Sequence, residues 1–390
     1  MRILLVHNYY RGGAPGGEDI VFDSERELLE SAGVEVKVYT RRNDEMDEHA
    51  LVDRLKTAAS LFGWSRTQDD LTALFKTWRP DVVHVHNLFP LIGRAVFDVC
   101  DRFDIPSVQT IHNYRWICAA ATHLREGRLC TDCQPQRLSP AIQHRCYRGS
   151  LPGSVAVTHA IRREFSQRRR GGGATRYLAL TRFAAARMVA AGIDPARIRI
   201  RPNFIDLPRS DEPRERYAVF AGKLSPEKGW STLLAAWQTL PDIPLRIVGD
   251  GPSRPQLEAE LHHRAIHHVT LMGLQSREHT RRIVAGATLQ VVPSEWFEGM
   301  PMVVLEAWAA GTPVIASAIG GLEEMIGHDE RGLGFPPGDA RALAEQVRRL
   351  WTDEPRCRHL AAAGRAHLER HHTAAMALRS LTDLYAELSV

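Results

Sequence analysis

The sequence predicts an α/β protein built from two doubly wound, parallel-sheet domains. Three observations carry this expectation. Short apolar runs alternate with helical patterns along both halves, the chain of 390 residues is long enough for two domains that each bury a core, and a proline-flanked stretch near the middle reads as a linker.

In chain order, Arg2–His7 is the first apolar run, followed by the glycine-rich loop Arg11–Glu18 and a helical pattern from about Asp19 to Ala32. A strand at Val34–Thr40 comes next, then the short buried strands Asp81–His86 and Ile105–Ile111. The second half repeats the rhythm with Tyr217–Ala221, Leu245–Val248, Val269–Met272, Leu289–Val292 and Val314–Ala316, separated by helices such as Trp230–Gln238 and Pro255–Arg264. The linker, Pro202–Pro208 and the polar run to Arg216, divides an N-terminal domain at 1–205 from a C-terminal domain at 206–372. A cysteine-containing insert at about 113–150 interrupts the first, and residues 373–390 form an amphipathic helix expected to pack back on it. The basic stretch Arg162–Gly173, ending in three glycines, reads as a surface or mobile element. Its two readings are a solvated face and a peripheral contact with anionic lipid through Arg162–Arg170.

Hydrophobic content of 44% and charged content of 25% are those of a globular protein. No apolar run approaches bilayer length, and Met1–Val6 reads as a strand, so a cytoplasmic location is expected, with the six cysteines as thiols or metal ligands. A net charge of +4 without a nucleic-acid motif gives no reason to expect nucleic acid as a partner, and nothing fixes the oligomeric state.

The stretch Pro293–Glu306 carries two carboxylates, Glu298 and Glu306, across a Gly299-Met300-Pro301 turn. Met302–Ala310 reads as a helix capped by Gly311, so Glu298 precedes the helix and Glu306 lies inside it. Free N–H groups at that helix start suit an anion, and acceptor-only carboxylates beside them suit hydroxyls. A nucleotide sugar offers both. Solvated glutamates on an ordinary loop and helix are the plainer alternative. Of the 50 lysines and arginines only Lys37, Lys56, Lys76, Lys223 and Lys228 are lysine, and two of these fall within Ala221–Gly229 after a strand. That spacing lets both ammonium groups converge on one diphosphate. The loop Gly12–Gly17 is a third, weaker phosphate candidate, because it fits no standard phosphate-binding pattern.

Two further sets of residues stand out. His84 and His86 alternate along a strand, one expected on each side, with His86 and Asn87 either lining an acceptor site or serving structure. Cys118, Cys130, Cys133 and Cys146, with a central C-x2-C, are a candidate structural zinc site; free or packing thiols and a disulfide are the other readings.

Gly16-Gly17, Thr110-Ile-His-Asn113, Arg201-Pro-Asn-Phe204, Ala221–Gly229, Val248-Gly-Asp-Gly-Pro252 and the Glu298 to Glu306 spacing, in this order, resemble family 4 of the retaining glycosyltransferases. The resemblance covers nearly the whole chain and implies the GT-B architecture, two Rossmann-like domains facing across a cleft, acceptor-binding first and donor-binding second. It implies transfer of a sugar from a nucleotide diphosphate-sugar to an acceptor hydroxyl with retained configuration, in polysaccharide, glycolipid or glycosylated-metabolite synthesis. The alternatives are a nucleotide-sugar epimerase or phosphorylase of similar fold, or a non-catalytic nucleotide-sugar-binding module.

Carried onto this sequence, the catalytic group comprises His112 against the donor sugar, Lys223 and Lys228 at the donor phosphates, and Glu298 at the donor sugar. Lys223 departs from the arginine commoner in the family, which keeps the charge but loses a bidentate grip. The donor-binding set is Gly16, Gly17, Asn203, Gly249, Asp250, Gly251, Gly273, Gly299, Met300, Pro301 and Glu306, with Glu306 at the ribose. In the family the departing phosphate takes the acceptor's proton, so no cofactor is expected for catalysis. The chain also has no Asp-x-Asp pair of the kind that holds a metal in the other major glycosyltransferase architecture. The cysteine insert sits where acceptors enter in the family.

Overall fold

The computed structural model describes residues 1–10, 12, 16–45, 66–134, 137–208 and 212–389. Residues 11 and 13–15 of the glycine-rich loop and 209–211 of the linker lie outside the described residues. The chain divides into two compact units: Met1–His123 with Cys130–Asn203 and Ala375–Val390, and Phe204–Ala374 with Leu124–Leu129. The insert expected wholly in the first half is thus split, because its two-stranded hairpin, β5 (Leu124–Arg125) and β6 (Arg128–Leu129), counts with the second unit.

The first unit is a six-stranded parallel sheet in the order β2-β1-β3-β4-β7-β8. Its strands are β1 (Arg2–Tyr9), β2 (Glu35–Arg42), β3 (Val82–Val85), β4 (Ser107–Ile111), β7 (Arg176–Ala179) and β8 (Ile198–Ile200). Successive β1 residues point to opposite faces. Ile3 and Leu5 pack with Phe22, Leu29, Leu381 and Tyr385, while Leu4 and Val6 pack with Leu71, Phe75, Val96 and Phe97. Cover on both faces is why β1 is apolar without alternation.

The helices of this unit are α1 (Gly17–Ser31), α2 (Arg66–Thr77), α3 (Ala95–Phe103), α4 (Ser139–Gln143), α5 (Leu151–Arg169) and α6 (Arg182–Ala190). α5 carries most of Arg162–Gly173, with Arg162, Ser166, Arg170 and Gly171 exposed as expected of a surface element and Arg168 an exception. Ser150 caps its start by accepting from Gly153 N–H, and Arg168 is buried, 3.1 Å from Glu164 and stacked over the Tyr177 ring. A buried guanidinium paired in this way is part of the packing and is not a solvated or lipid-facing charge.

The second unit repeats the architecture with β9 (Ala218–Ala221), β10 (Leu245–Val248), β11 (Val269–Gly273), β12 (Leu289–Val292), β13 (Val314–Ser317) and β14 (Leu333–Phe335), in the order β11-β10-β9-β12-β13-β14. Its helices are α7 (Trp230–Trp237), α8 (Arg254–His263), α9 (Arg277–Gly286), α10 (Met302–Ala310), α11 (Gly320–Ile326), α12 (Ala340–Thr352) and α13 (Glu354–His371). Trp237, Leu245, Ile315, Phe335 and Val347 centre its core. The final helix, α14 (Ala374–Leu388), contributes Leu381, Leu384 and Tyr385 to the core of the first unit.

Strand order reverses between β1 and β3 in one unit and between β9 and β12 in the other. Loops leaving adjacent strands at such a point diverge to opposite faces and leave a crevice at the C-terminal strand ends, where ligands of doubly wound sheets bind. No helix among the described residues is long and apolar enough to cross a membrane.

Candidate functional site

In the second unit two of the residues singled out from sequence, Lys228 and Glu298, meet where strand order reverses. Lys228 comes from the loop after β9 and Glu298 from the loop after β12. The two loops are joined by Glu295 N–H donating to Glu227 O at 3.0 Å, and Thr232 Oγ1 of the following helix α7 donates to Glu295 Oε1 at 2.5 Å. Gly229 makes their approach feasible. It holds φ +70, and a Cβ there would stand 1.8 Å from the carbonyl oxygen of Pro293. So held, Lys228 Nζ lies 2.7 Å from Glu298 Oε1, which also accepts from Ser294 Oγ at 2.7 Å. The Lys228 ammonium also sits 5.1 Å from the centre of the Trp296 ring. Lys223 is exposed and makes no ion pair among the described residues.

The glycines of the β10 and β11 loops serve close backbone approach. Leu224 N–H donates to Asp250 O, and Gly249 N–H to Gly273 O, each at 2.9 Å. A Cβ on Gly249 would fall 1.9 Å from Gly222 O, and one on Gly251 2.3 Å from Leu224 O. Asp250 accepts from Gly251 N–H at 2.7 Å, which with Arg254 at 3.0 Å holds its carboxyl below the ordinary value. Pro301 caps α10, with Gly311 left-handed at its other end, and Met300 is buried. Glu306, inside α10, is enclosed, and burial raises its pKa against the opposing pull of Arg277, 3.8 Å away, and of Arg281.

The first unit carries His112 at the end of β4, beside a cavity of about 150 Å³ also lined by His86, Asn87, Arg94, Trp116 and Glu164. Behind it lies a buried polar cluster. His86 Nδ1 is 3.0 Å from His112 Nε2, and Glu25 Oε1 is 3.2 Å from His86 Nε2 and 2.8 Å from His84 Nδ1. Glu25 Oε2 pairs with Arg201, Thr110 Oγ1 meets His84 Nε2 at 2.8 Å, and Tyr385 of α14 meets His84 Nδ1 at 2.6 Å. Both His84 and His86 therefore reach the same carboxylate, which corrects the expectation of one on each side. Side chains of a strand return to the same face every two residues. Burial lowers the His86 pKa to about 4, and burial followed by the neighbouring His86 lowers that of His112 well below the ordinary range.

Gly16 N–H donates to Asp19 Oδ2 at 2.9 Å at the start of α1, and Asp19 Oδ1 is 2.7 Å from His7 Nε2. Gly17 opens α1 with nothing within 4 Å of where a Cβ would stand, and Asn203 is buried at the end of the first unit.

Residues 15–209 match the family described as Glycosyltransferase Family 4, and residues 206–367 match Glycosyl transferases group 1. The chain belongs to glycosyltransferase family 4. An exopolysaccharide phosphotransferase of Streptomyces coelicolor is 39% identical over 35% of this chain and 15% of its own. A glycogen synthase of Mycobacterium tuberculosis is 28% identical over 75% of this chain and 65% of its own, so the chain spans less than two thirds of either relative. A putative teichuronic acid biosynthesis glycosyltransferase of Bacillus subtilis is 26% identical over 91% of each chain. Among solved structures, sucrose-phosphate synthase from Thermosynechococcus elongatus superposes with a TM-score of 0.74 at 22% identity, over 99% of this chain and 98% of that one. Anabaena HepE, in complex with UDP-glucose, gives 0.67 at 16% identity over 99% and 100%. These likenesses establish the GT-B fold for this family 4 chain.

Several residues of the site escaped the sequence reading. Ser294, Trp296, Arg254, Arg277 and Glu25 are the main ones. Glu25 left a readable sign, since Phe22, Glu25 and Leu29 share the buried stripe of α1 and a carboxylate at a core position needs buried cations. None of the four insert cysteines is in a disulfide among the described residues, and Cys133 and Cys146 pack against Ala119, Leu138, Ala141, Val157 and Ile161. Burial, then the neighbouring Cys118, Cys146 and Cys130, pushes the Cys133 thiol up to about 11. Among the described residues the one set of three ligand-type groups whose atoms all lie within 4.8 Å is Glu25, His84 and His86, not a cysteine set. Arg201 already meets the charge of Glu25 there.

Proposed function

We propose that this family 4 chain transfers a sugar from a nucleoside diphosphate donor to an acceptor hydroxyl with retained anomeric configuration, in the synthesis of a polysaccharide or related glycan. The observation that carries the reading is the Lys228–Glu298 pair at the strand-order reversal of the second unit. A cation and an anion share one crevice edge, as a ligand with phosphates at one end and hydroxyls at the other requires. The UDP-glucose complex of Anabaena HepE and the glycan-directed names of the curated relatives support it.

In this reading Lys228 and Lys223, with the N–H groups at the start of α10, neutralise the charge that grows on the diphosphate as the glycosidic bond breaks. The leaving phosphate oxygen takes the proton of the acceptor hydroxyl on the face it departs from, so the new bond forms on that face. With lysines at the diphosphate, no metal is assigned to the step. Glu298 accepts hydrogen bonds from sugar hydroxyls, Glu306 from those of the ribose, and the backbone loops of Gly249, Gly251 and Gly273 border the nucleotide. His112 is assigned to sugar recognition, and the cavity beside it to the acceptor. We read the insert cysteines as packing thiols.

Incubating the protein with a panel of nucleotide sugars and measuring nucleoside diphosphate release tests this. One or a few donors should release diphosphate, and the matching diphosphate should bind in a calorimetric titration. No binding and no release across the uridine, guanosine, adenosine and thymidine series contradicts it.

A further inference from the structure

The buried cluster behind His112 determines more than its position. Glu25 is fully buried, with Oε2 on Arg201 and Oε1 facing His84 Nδ1 and His86 Nε2. An ionised carboxylate accepts hydrogen bonds and donates none, so His86 must carry its proton on Nε2. A neutral imidazole has one N–H, which leaves a lone pair on His86 Nδ1. That lone pair, 3.0 Å from His112 Nε2, can only accept, so His112 must carry its own proton on Nε2. Among the described residues His112 Nδ1 has no hydrogen-bond partner, and the ring lines the cavity.

We propose that Glu25 and His86 are positioning residues that fix the tautomer of His112, so that its Nδ1 faces ligand as a hydrogen-bond acceptor. The proposal rests on the functional reading above only in taking a sugar hydroxyl as the group that donates to Nδ1. The charge states agree with it. Burial raises the Glu25 pKa, but Arg201, His84 and His86 outweigh that and hold it well below the ordinary value, while burial lowers the pKa of His86 and of His112 and favours their neutral rings. Second-layer carboxylates set histidine tautomers in the same way in catalytic triads and metal sites.

The test is a two-bond proton–nitrogen correlation spectrum of the full chain labelled with ¹⁵N at histidine, near neutral pH, with the His112 ring assigned by its loss in His112→Gln. The expected pattern is a neutral ring protonated at Nε2. A ring protonated at Nδ1, or an imidazolium, overturns the proposal. In Glu25→Gln the amide N–H donates to His86 Nε2, which shifts the His86 proton to Nδ1 and the His112 proton to Nδ1. A folded Glu25→Gln protein whose His112 tautomer is unchanged also overturns it. If that variant loses its fold because Arg201 is left unpaired, the wild-type spectrum decides alone. No substrate is present in these spectra, so absence of sugar transfer would count against the functional reading and leave the tautomer result intact.

Discussion

Lys228 Nζ stands 2.7 Å from Glu298 Oε1 although 70 residues separate them in sequence. The lysine side chain keeps 24% of its surface exposed and the glutamate 7%. The carboxylate is thus enclosed in the crevice wall, while the lysine side chain it holds keeps part of its surface open to solvent. Replacing Lys228 with alanine should lower kcat by about two orders of magnitude, the usual cost of one preorganised partner for transition-state charge. Steady-state kinetics on the folded variant measure this, and turnover near that of wild type contradicts the assignment.

The two glutamates should separate in kinetics. Glu298→Gln leaves Lys228 without its anion and weakens acceptance of sugar hydroxyls, so kcat for the correct donor should fall. Glu306→Gln should act mainly on affinity for the nucleotide. Calorimetric titration of the free nucleoside diphosphate into both variants is the check; equal losses of affinity would show that the roles are misassigned.

Gly229 joins the two loops, and its left-handed φ of +70 comes with a Cβ path blocked at 1.8 Å by Pro293 O. Gly229→Ala should cost about 1–3 kcal/mol of stability from backbone strain, and turnover should fall as the Lys228–Glu298 contact opens. A urea midpoint and a kcat both unchanged would mean that this loop contact does not hold the site.

Acid should weaken the first unit in a definite window. The folded His86 pKa is depressed from 6.5 to about 4, so between those values the unfolded chain binds a proton that the folded chain refuses. Stability from this group is full above about pH 6.5 and is lost as pH falls toward 4. Glu25, whose pKa is also depressed, adds a loss below its ordinary value of 4.5, because there the unfolded chain protonates it while the folded chain, with Arg201 against the carboxylate, does not. Urea midpoints measured down this range should fall steadily, and His86→Gln should flatten the upper part of the curve.

Much of this was legible in the sequence because it is local. A strand buried on both faces is an apolar run, a glycine at a helix end is a cap, and Lys228 and Glu298 stand out by residue type beside turns. Five strands were not legible, two of them the two-residue strands β5 and β6 of the insert hairpin. β7 is four residues long, β8 reads Ile-Arg-Ile with two exposed positions at the sheet edge, and β14 has a glycine at its centre. An exposed edge strand has no apolar pattern to show. The cluster behind His112 was illegible for a different reason. Glu25 meets His86 across 61 residues and Arg201 across 176, contacts that exist only after parallel crossovers stack α1, β3 and the end of β8. The faces of His84 and His86 could have been read from the two-residue period of a strand, and were expected on opposite sides instead.

The stereochemistry of the product tests the central claim most directly. With a donor of known anomeric configuration found in the nucleotide-sugar panel, the proton NMR spectrum of the first product formed should show a glycosidic bond of that same configuration, with nucleoside diphosphate released in equal amount. A product of inverted configuration, or sugar joined to acceptor without release of nucleoside diphosphate, would contradict the account.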